Sequence, residues 1–336
     1  MRFKGATVLT GLLAAALTFG AGPRTAAAEE VKFLMDWIFG GKHIAFFVAR
    51  DKGYYKKNGL DVTLLQGRGS GMAATNVDTK QVDYSYGDFP TMLRAVSKGA
   101  KNVAIGAGIV YQGGGFMFLE SSGIKTAKDF EGKRYGSTPT DFGNVLLPAM
   151  AAASGFDVKK VKIMIMKEAV RTPALFEGKI DFFSGARGSS LPRMAIIAKR
   201  QGKKLNFLYF KDLGIDTYGH MIQTHPDRIN GNPDQIRKLL QASYEAWAWS
   251  IKNPKEAFEV FMQANREKDR EISQAQVEEG LMDVQDPETK GKGLGYMKES
   301  LVKKSAEISN KYFNLKPPVD YKATYTNRFI GPTPGM

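Results

Sequence analysis

Residues 31–65 read VKFLMDWIFGGKHIAFFVARDKGYYKKNGLDVTLL. Val31 to Met35 is a short apolar run, read as a buried strand. Ile44, Phe47, Val48 and Tyr55 then recur at helical spacing, and Asn58-Gly59 closes that helix. Val62 to Leu65 is the next strand. A strand, a crossover helix and a second strand make the unit from which parallel sheets are built.

The unit repeats downstream. After the turn at Gly67 to Gly71, helices are expected over Met72 to Thr79 and Pro90 to Lys98, with strands at Val82 to Tyr86 and Val103 to Ile109. A glycine break at Gly113 to Gly115 interrupts the pattern, which restarts at Phe116 to Leu119. Further strands fall at Lys133 to Gly136, Lys162 to Met166, Ile180 to Phe183 and Leu205 to Phe210, with helices near 144–154, 172–177 and 191–201. A strand at His220 to Thr224 leads into a helical tail opened by Asn232-Pro233 and Asn253-Pro254. The fold expected is α/β and two-lobed. Each lobe is a mixed, mostly parallel sheet flanked by helices, and two crossing segments join them. Residues 29–113 and 221–336 form lobe 1 with the helical C-terminal segment, and 114–220 form lobe 2. Ligands of such folds bind at the junction, beyond the carboxyl ends of the strands.

Before this body comes a different segment. Arg2 and Lys4 precede an apolar stretch from Ala6 to Gly22, and Ala26-Ala27-Ala28 precedes Glu29-Glu30. That order marks a secretory signal peptide over residues 1–28, cut after Ala28. The stretch holds glycines and is short of the ~20 strongly apolar residues of a spanning helix. No later segment approaches a span.

Composition narrows the chemistry. The 336 residues include no Cys, which removes thiol nucleophiles, disulfides, zinc ribbons, iron–sulfur clusters and a lipoprotein anchor. The formal charge is +14, but the Lys and Arg are spread along the chain and read as a solvated basic surface, not a nucleic-acid groove. The three His residues show no metal-binding spacing: His220 and His225 are five apart in a strand-like context. There is no phosphate-binding G-x-x-x-x-G-K-[ST] loop and no G-x-S-x-G elbow. Gly67-Arg68-Gly69-Ser70-Gly71 follows a strand, but Met72 stands where a dinucleotide fingerprint needs glycine. No cofactor and no metal are expected.

The strand-end loops carry the candidate ligand contacts, each with a structural alternative. Trp37 offers a broad face for stacking, or packs in the core. His43 opens a helix and either contacts ligand or serves that helix end. Arg68 and Ser70 hold an anion or polar edge, or shape a tight turn. Asp88 faces the cleft or caps the helix begun at Pro90. Tyr111 and Gln112 sit beside the glycine break. In the second half, Ser137 and Thr138 donate at a helix start, and Glu168 lies at the matching strand end. Arg187 is placed at the cleft rim to fork onto a carboxylate or sulfonate, or to bridge the lobes. Tyr218 closes the pocket or packs the hinge.

These residues resemble the periplasmic solute receptors of ABC importers, type II, in the branch that binds sulfonates and thiamine pyrimidine precursors. The resemblance is carried by Asp36-Trp37 with His43 six residues after Trp37, by Phe47 to Tyr55 (FVARDKGYY), and by Asn58 to Val62 (NGLDV). It continues through Gly87-Asp88-Phe89-Pro90, Lys128 to Gly136 (KDFEGKRYG), Gly178 to Phe182 (GKIDF) and Asn253 to Ala257 (NPKEA). It implies two lobes that close over one small solute, without transforming it, and hand it to a membrane permease and, through that, an ATPase. In the pyrimidine-precursor receptors an aromatic residue stacks on the ring, which transfers to Trp37 and His43. Gly113 to Gly115 and Arg187 depart from what a neutral pyrimidine implies and leave an organic anion or a flavin-like ligand open. A related eukaryotic branch makes the pyrimidine itself with a Cys-rich site that this chain lacks. The resemblance thus implies a periplasmic, non-enzymatic monomer. A secreted enzyme using Asp88 or Glu168 as base, and a sensory receptor of the same fold, are the competing functions.

Overall fold

The structure is a computed structural model that describes residues 1, 28–111, 113–282 and 284–334. The predicted signal peptide lies almost wholly outside the described residues, as does Gln112.

The first half builds β1 (Glu29–Met35), α1 (Ile44–Asp51), α2 (Tyr54–Lys57), β2 (Leu60–Leu65), α3 (Ser70–Asp78), β3 (Tyr84–Asp88), α4 (Phe89–Val96) and β4 (Val103–Ala107). The second builds β5 (Gly114–Leu119), β6 (Arg134–Ser137), α5 (Phe142–Ser154), β7 (Lys162–Ile165), α6 (Glu168–Phe176), β8 (Phe182–Ala186), α7 (Ser190–Arg200) and β9 (Leu205–Tyr209). The chain returns through β10 (His220–Thr224) into α8 (Pro226–Gly231), α9 (Pro233–Lys252), α10 (Pro254–Ala264), α11 (Arg270–Gly280) and α12 (Glu299–Tyr312).

Two five-stranded sheets result, ordered β2-β1-β3-β10-β4 and β7-β6-β8-β5-β9. β1 runs parallel to β2 and β3, and β6 parallel to β7 and β8. β10 is antiparallel to both its neighbours, and so is β5. In each sheet four strands run one way and a single strand, β10 or β5, runs against them, which gives the mixed, mostly parallel sheets expected from the alternation of strands and helices. The reason is topological. β5 and β10 are the strands that enter from the crossover side, where the carboxyl ends of the other strands lie. They can only run back against them. The two crossing segments meet at an antiparallel bridge between Tyr111 and Tyr218, with the Gly219 N–H donating to the Val110 carbonyl at 3.2 Å.

Local chemistry explains where elements start and stop. The helix expected over 44–55 breaks into α1 and α2 because Gly53 takes a left-handed φ of +79°. α6 begins at Glu168, four residues before the expected start. Pro173 lies inside it, yet Arg171 is carried on the first turns. Asp141 and Asp88 cap α5 and α4 through the Asn144 and Thr91 N–H groups.

Each sheet has its own aromatic core. Phe33, Phe46 and Tyr86 pack edge-to-face beneath the first sheet, and Trp247 of α9 meets Phe46 at 5.4 Å. Phe116 does the same for the second, against Phe130, Tyr135, Phe182 and Phe210. α11 and α12 pack against elements of both halves, on α7 and on α4 and α5 respectively. Among the described residues, no helix is long and apolar enough to cross a membrane.

Candidate functional site

The site lies where the carboxyl ends of the two sheets face each other. On the first side, β1 delivers Asp36 and Trp37. The Asp36 carboxylate is buried and accepts from the Lys42 Nζ at 2.8 Å, from Ser70 Oγ at 3.2 Å and from His43 Nε2 at 3.1 Å. His220 Nε2 lies 2.9 Å from the same carboxylate and 3.0 Å from the Lys42 ammonium. Burial by itself would raise the Asp36 carboxyl, but Lys42 and the two imidazoles outweigh it and hold the group well below the ordinary carboxylate range. His43 accepts the Gly40 N–H on Nδ1 at 3.2 Å, so its proton sits on Nε2, facing Asp36. Burial pushes its pKa down to about 4, with Lys42 and His220 adding to the fall and Asp36 opposing it.

On the second side, Asp141 is the hub. One carboxylate oxygen accepts from the Asn144 N–H, Tyr135 and Ser184, and the other from Ser137, the Thr138 N–H and Arg171 Nη1. Arg171 is 2% exposed. Its guanidinium carbon lies 5.0 Å from the Trp37 ring centre and 4.9 Å from that of Phe183, and its Nε has no hydrogen-bond partner. Cation, indole and anion thus meet across the two sheets.

The two sides are in direct contact. The Lys42 N–H donates to the Gly188 carbonyl at 3.0 Å, and the Gly71 N–H to the Thr140 carbonyl at 3.2 Å. The Thr140 hydroxyl donates to the Arg68 carbonyl at 3.1 Å. Gly69, at φ +146°, leaves no room for a Cβ, which would stand 2.1 Å from the Thr140 oxygen. The space enclosed is small, about 10 Å3, and is walled by Asp36, Trp37, Lys42 and Ser70 on one side and by Phe142, Arg171 and Ser184 on the other. Outside it lies an open groove of about 830 Å3 that shares Trp37 as a wall.

The residues singled out in the sequence scatter over this arrangement. Trp37 and Ser70 border the inner space. Trp37, Arg68, Thr138 and Glu168 border the outer groove. Ser137 is buried beneath Asp141. His43 stands behind Asp36 rather than on the wall. Asp88 takes its capping role, bound by the Thr91 N–H at 2.8 Å and the Thr91 hydroxyl at 2.6 Å. Tyr111 and Tyr218 belong to the crossing segments, where the Tyr218 hydroxyl accepts the Lys298 N–H at 2.7 Å. Arg187 lies at the same junction: its backbone N–H donates to Gly113 and its Nη2 approaches the Met282 sulfur at 3.2 Å. Asp36, Lys42, Asp141, Phe142, Arg171, Ser184 and His220 carry the site without having been assigned to it. Asp36 is visible only as the neighbour of Trp37 in the family resemblance, and Asp141 leaves a local signal as a cap three residues before Asn144.

Two facing lobes, each with one strand entering from the hinge, and a buried polar seam between them define a type II periplasmic-binding-protein fold. The chain belongs to the NMT1/THI5-like family, whose model matches residues 41–257. It is similar to the riboflavin-binding protein RibY of Chloroflexus aurantiacus, at 24% identity over 90% of this chain and 86% of that protein. It is also similar to the 4-amino-5-hydroxymethyl-2-methylpyrimidine phosphate synthase of Schizosaccharomyces pombe, at 23% identity over 75% of this chain and 74% of that protein. Among solved structures, the alkanesulfonate-binding protein SsuA of Xanthomonas axonopodis pv. citri, bound to MOPS, superposes with a TM-score of 0.67 at 13% identity, covering 89% of this chain and 100% of that one.

Proposed function

We propose that this chain is the periplasmic solute-binding component of an ABC importer. It captures a small aromatic or heteroaromatic solute, pyrimidine-precursor-like, between its lobes and presents it to a membrane permease and its ATPase. The carrying observation is the Trp37 indole, set between the lobes with Arg171 of the opposite lobe at 5.0 Å from its ring centre. A solute ring on that indole takes the place of Arg171 over it and touches both lobes, so it binds the closed form better than an open one and draws the hinge shut. Residues 1–28 are the export signal, 29–113 with 221–336 one lobe, and 114–220 the other. The protein acts as a monomer.

The buried carboxylates support capture over catalysis. Asp36 is tied to Lys42 and Asp141 to Arg171, at 2.8 and 3.1 Å, so each is committed as an ion-pair acceptor rather than poised as a base. The Arg171 Nε favours a second reading of the ligand, an organic anion such as an alkanesulfonate or aromatic carboxylate, or a flavin-like molecule. Native mass spectrometry of the freshly purified mature protein, followed by thermal shift with pyrimidines, sulfonates, aromatic acids and flavins, tests both. A bound solute stabilises by about 2.7 kcal/mol at 100-fold excess over Kd. A protein that retains nothing and whose melting temperature no compound moves would end the proposal, and chemical turnover of a bound solute would overturn its non-enzymatic part.

A further inference from the structure

The outer groove carries its own ligand chemistry. Its apolar lining comes from Ile38, Met72 and Met166 together with Trp37. Its two cations come from opposite lobes: Arg68 from the loop after β2 and Lys167 from the loop after β7. Both are exposed, and among the described residues neither has an ion-pair partner. Thr138 is 8% exposed and lines the same groove, and its buried hydroxyl oxygen has no hydrogen-bond partner. The one acid on the wall, Glu168, faces Arg193 at 3.9 Å. At about 830 Å3 the groove has the size of a small-molecule site, whereas the inner space of about 10 Å3 holds no more than a water.

We propose that this groove is a second subsite, which takes an anionic group, phosphate or carboxylate, on a tail of the solute whose ring lies on Trp37. Arg68 and Lys167 clamp the anion from the two lobes, and the Thr138 hydroxyl donates to it. An anion held from both lobes is bound fully only when they are closed. The tail therefore adds to closure as well as to affinity. The walls support that coupling, because the Thr140 hydroxyl of one lobe fixes the Arg68 carbonyl of the other at 3.1 Å. This inference rests on the capture of a ring-bearing solute proposed above and names the second half of that solute.

Matched ligand pairs test it on the mature protein: riboflavin against riboflavin 5′-phosphate, and 4-amino-5-hydroxymethyl-2-methylpyrimidine against its phosphate. Calorimetry should show the phosphorylated member binding about tenfold tighter, with the advantage shrinking as salt is raised. The advantage should vanish in the double variant Arg68→Gln/Lys167→Gln. It should persist in Lys56→Gln/Lys57→Gln, which removes the same charge elsewhere on the surface. Neutral members binding as tightly as phosphorylated ones, or an advantage that survives in the first double variant, overturns the subsite and leaves ring capture standing. If no member of either pair binds, the subsite falls, and ring capture stands or falls with the wider thermal-shift panel.

Discussion

The Arg171 guanidinium lies 5.0 Å from the centre of the Trp37 indole, and the two side chains come from opposite lobes. Trp37 stands two residues beyond the end of β1, while Arg171 sits on α6, which follows β7. Asp141 anchors the cation at 3.1 Å, so its position is set by its own lobe and not by the indole. A desolvated cation over indole is worth up to about 2 kcal/mol. The pair therefore holds the lobes together weakly enough for a solute to rearrange it.

Trp37→Leu should weaken a ring-bearing solute by about 1 to 3 kcal/mol, roughly five- to 150-fold in Kd, and Trp37→Phe by less. Isothermal titration with a solute identified by native mass spectrometry is the measurement. Undiminished affinity in the leucine variant would remove the indole from the binding surface.

Arg171→Met strips the buried Asp141 carboxylate of its only cationic partner among the described residues. Breaking a buried pair costs about 3 to 5 kcal/mol. Here the Tyr135, Ser137 and Ser184 hydroxyls and the Thr138 and Asn144 N–H groups remain, so a loss of about 2 kcal/mol is expected. Arg171→Lys keeps the charge and should lose less. Urea denaturation of the three proteins decides it, and a methionine variant as stable as the parent would show that the neutral donors suffice.

Much of the fold can be read in order along the chain, because strand and helix periods are local. The apolar runs at Val31 to Met35 and Val62 to Leu65 fall within β1 and β2. Sheet partners are a different matter. Nothing in the period of His220 to Thr224 says that it inserts between β3 and β4, more than a hundred residues upstream. The same limit hides the site. Trp37 and Ser70 are visible because one follows a strand closely and the other opens a helix. His220 reads as one more strand residue until the return strand sets it 2.9 Å from Asp36. Arg171 reads as an ordinary helix cation, since the indole that it covers is far away in sequence. β7 misleads in the opposite sense: Ile163 and Ile165 are apolar yet 46% and 58% exposed, because β7 is an edge strand.

Gly69→Ala should separate closure from folding. A Cβ there would stand 2.1 Å from the Thr140 oxygen across the junction, and the φ of +146° adds backbone strain of about 1 to 3 kcal/mol. The lobes can relieve the clash only by parting. Solute affinity should fall at least about tenfold, and small-angle scattering with solute present should report a larger radius than the parent's. A variant that closes on solute as the parent does would mean that the contact between Gly69 and Thr140 is not part of the bound form.

His43 ties stability to pH. It is buried and neutral, its Nε2–H given to Asp36 and its Nδ1 accepting from Gly40. Its pKa is lowered from 6.5 to about 4, first by burial and then by the neighbouring Lys42 and His220, with Asp36 opposing. Between those two values the unfolded chain binds a proton that the folded one refuses, so stability rises with pH across that window. The contribution is complete above 6.5 and lost as pH falls toward 4. Each tenfold change in proton affinity is worth about 1.4 kcal/mol, so the contribution amounts to about 3 kcal/mol. Asp36 does not cancel it: its pKa is lowered from an already smaller value, so its own loss falls at more acid pH. Urea denaturation at pH 7 and pH 5 should show the parent losing a large part of that sum. His43→Gln should be less stable at pH 7 and have a flatter profile over the same interval. A parent profile as flat as the variant's would mean that His43 takes up its proton inside the fold, beside Asp36, without disturbing it.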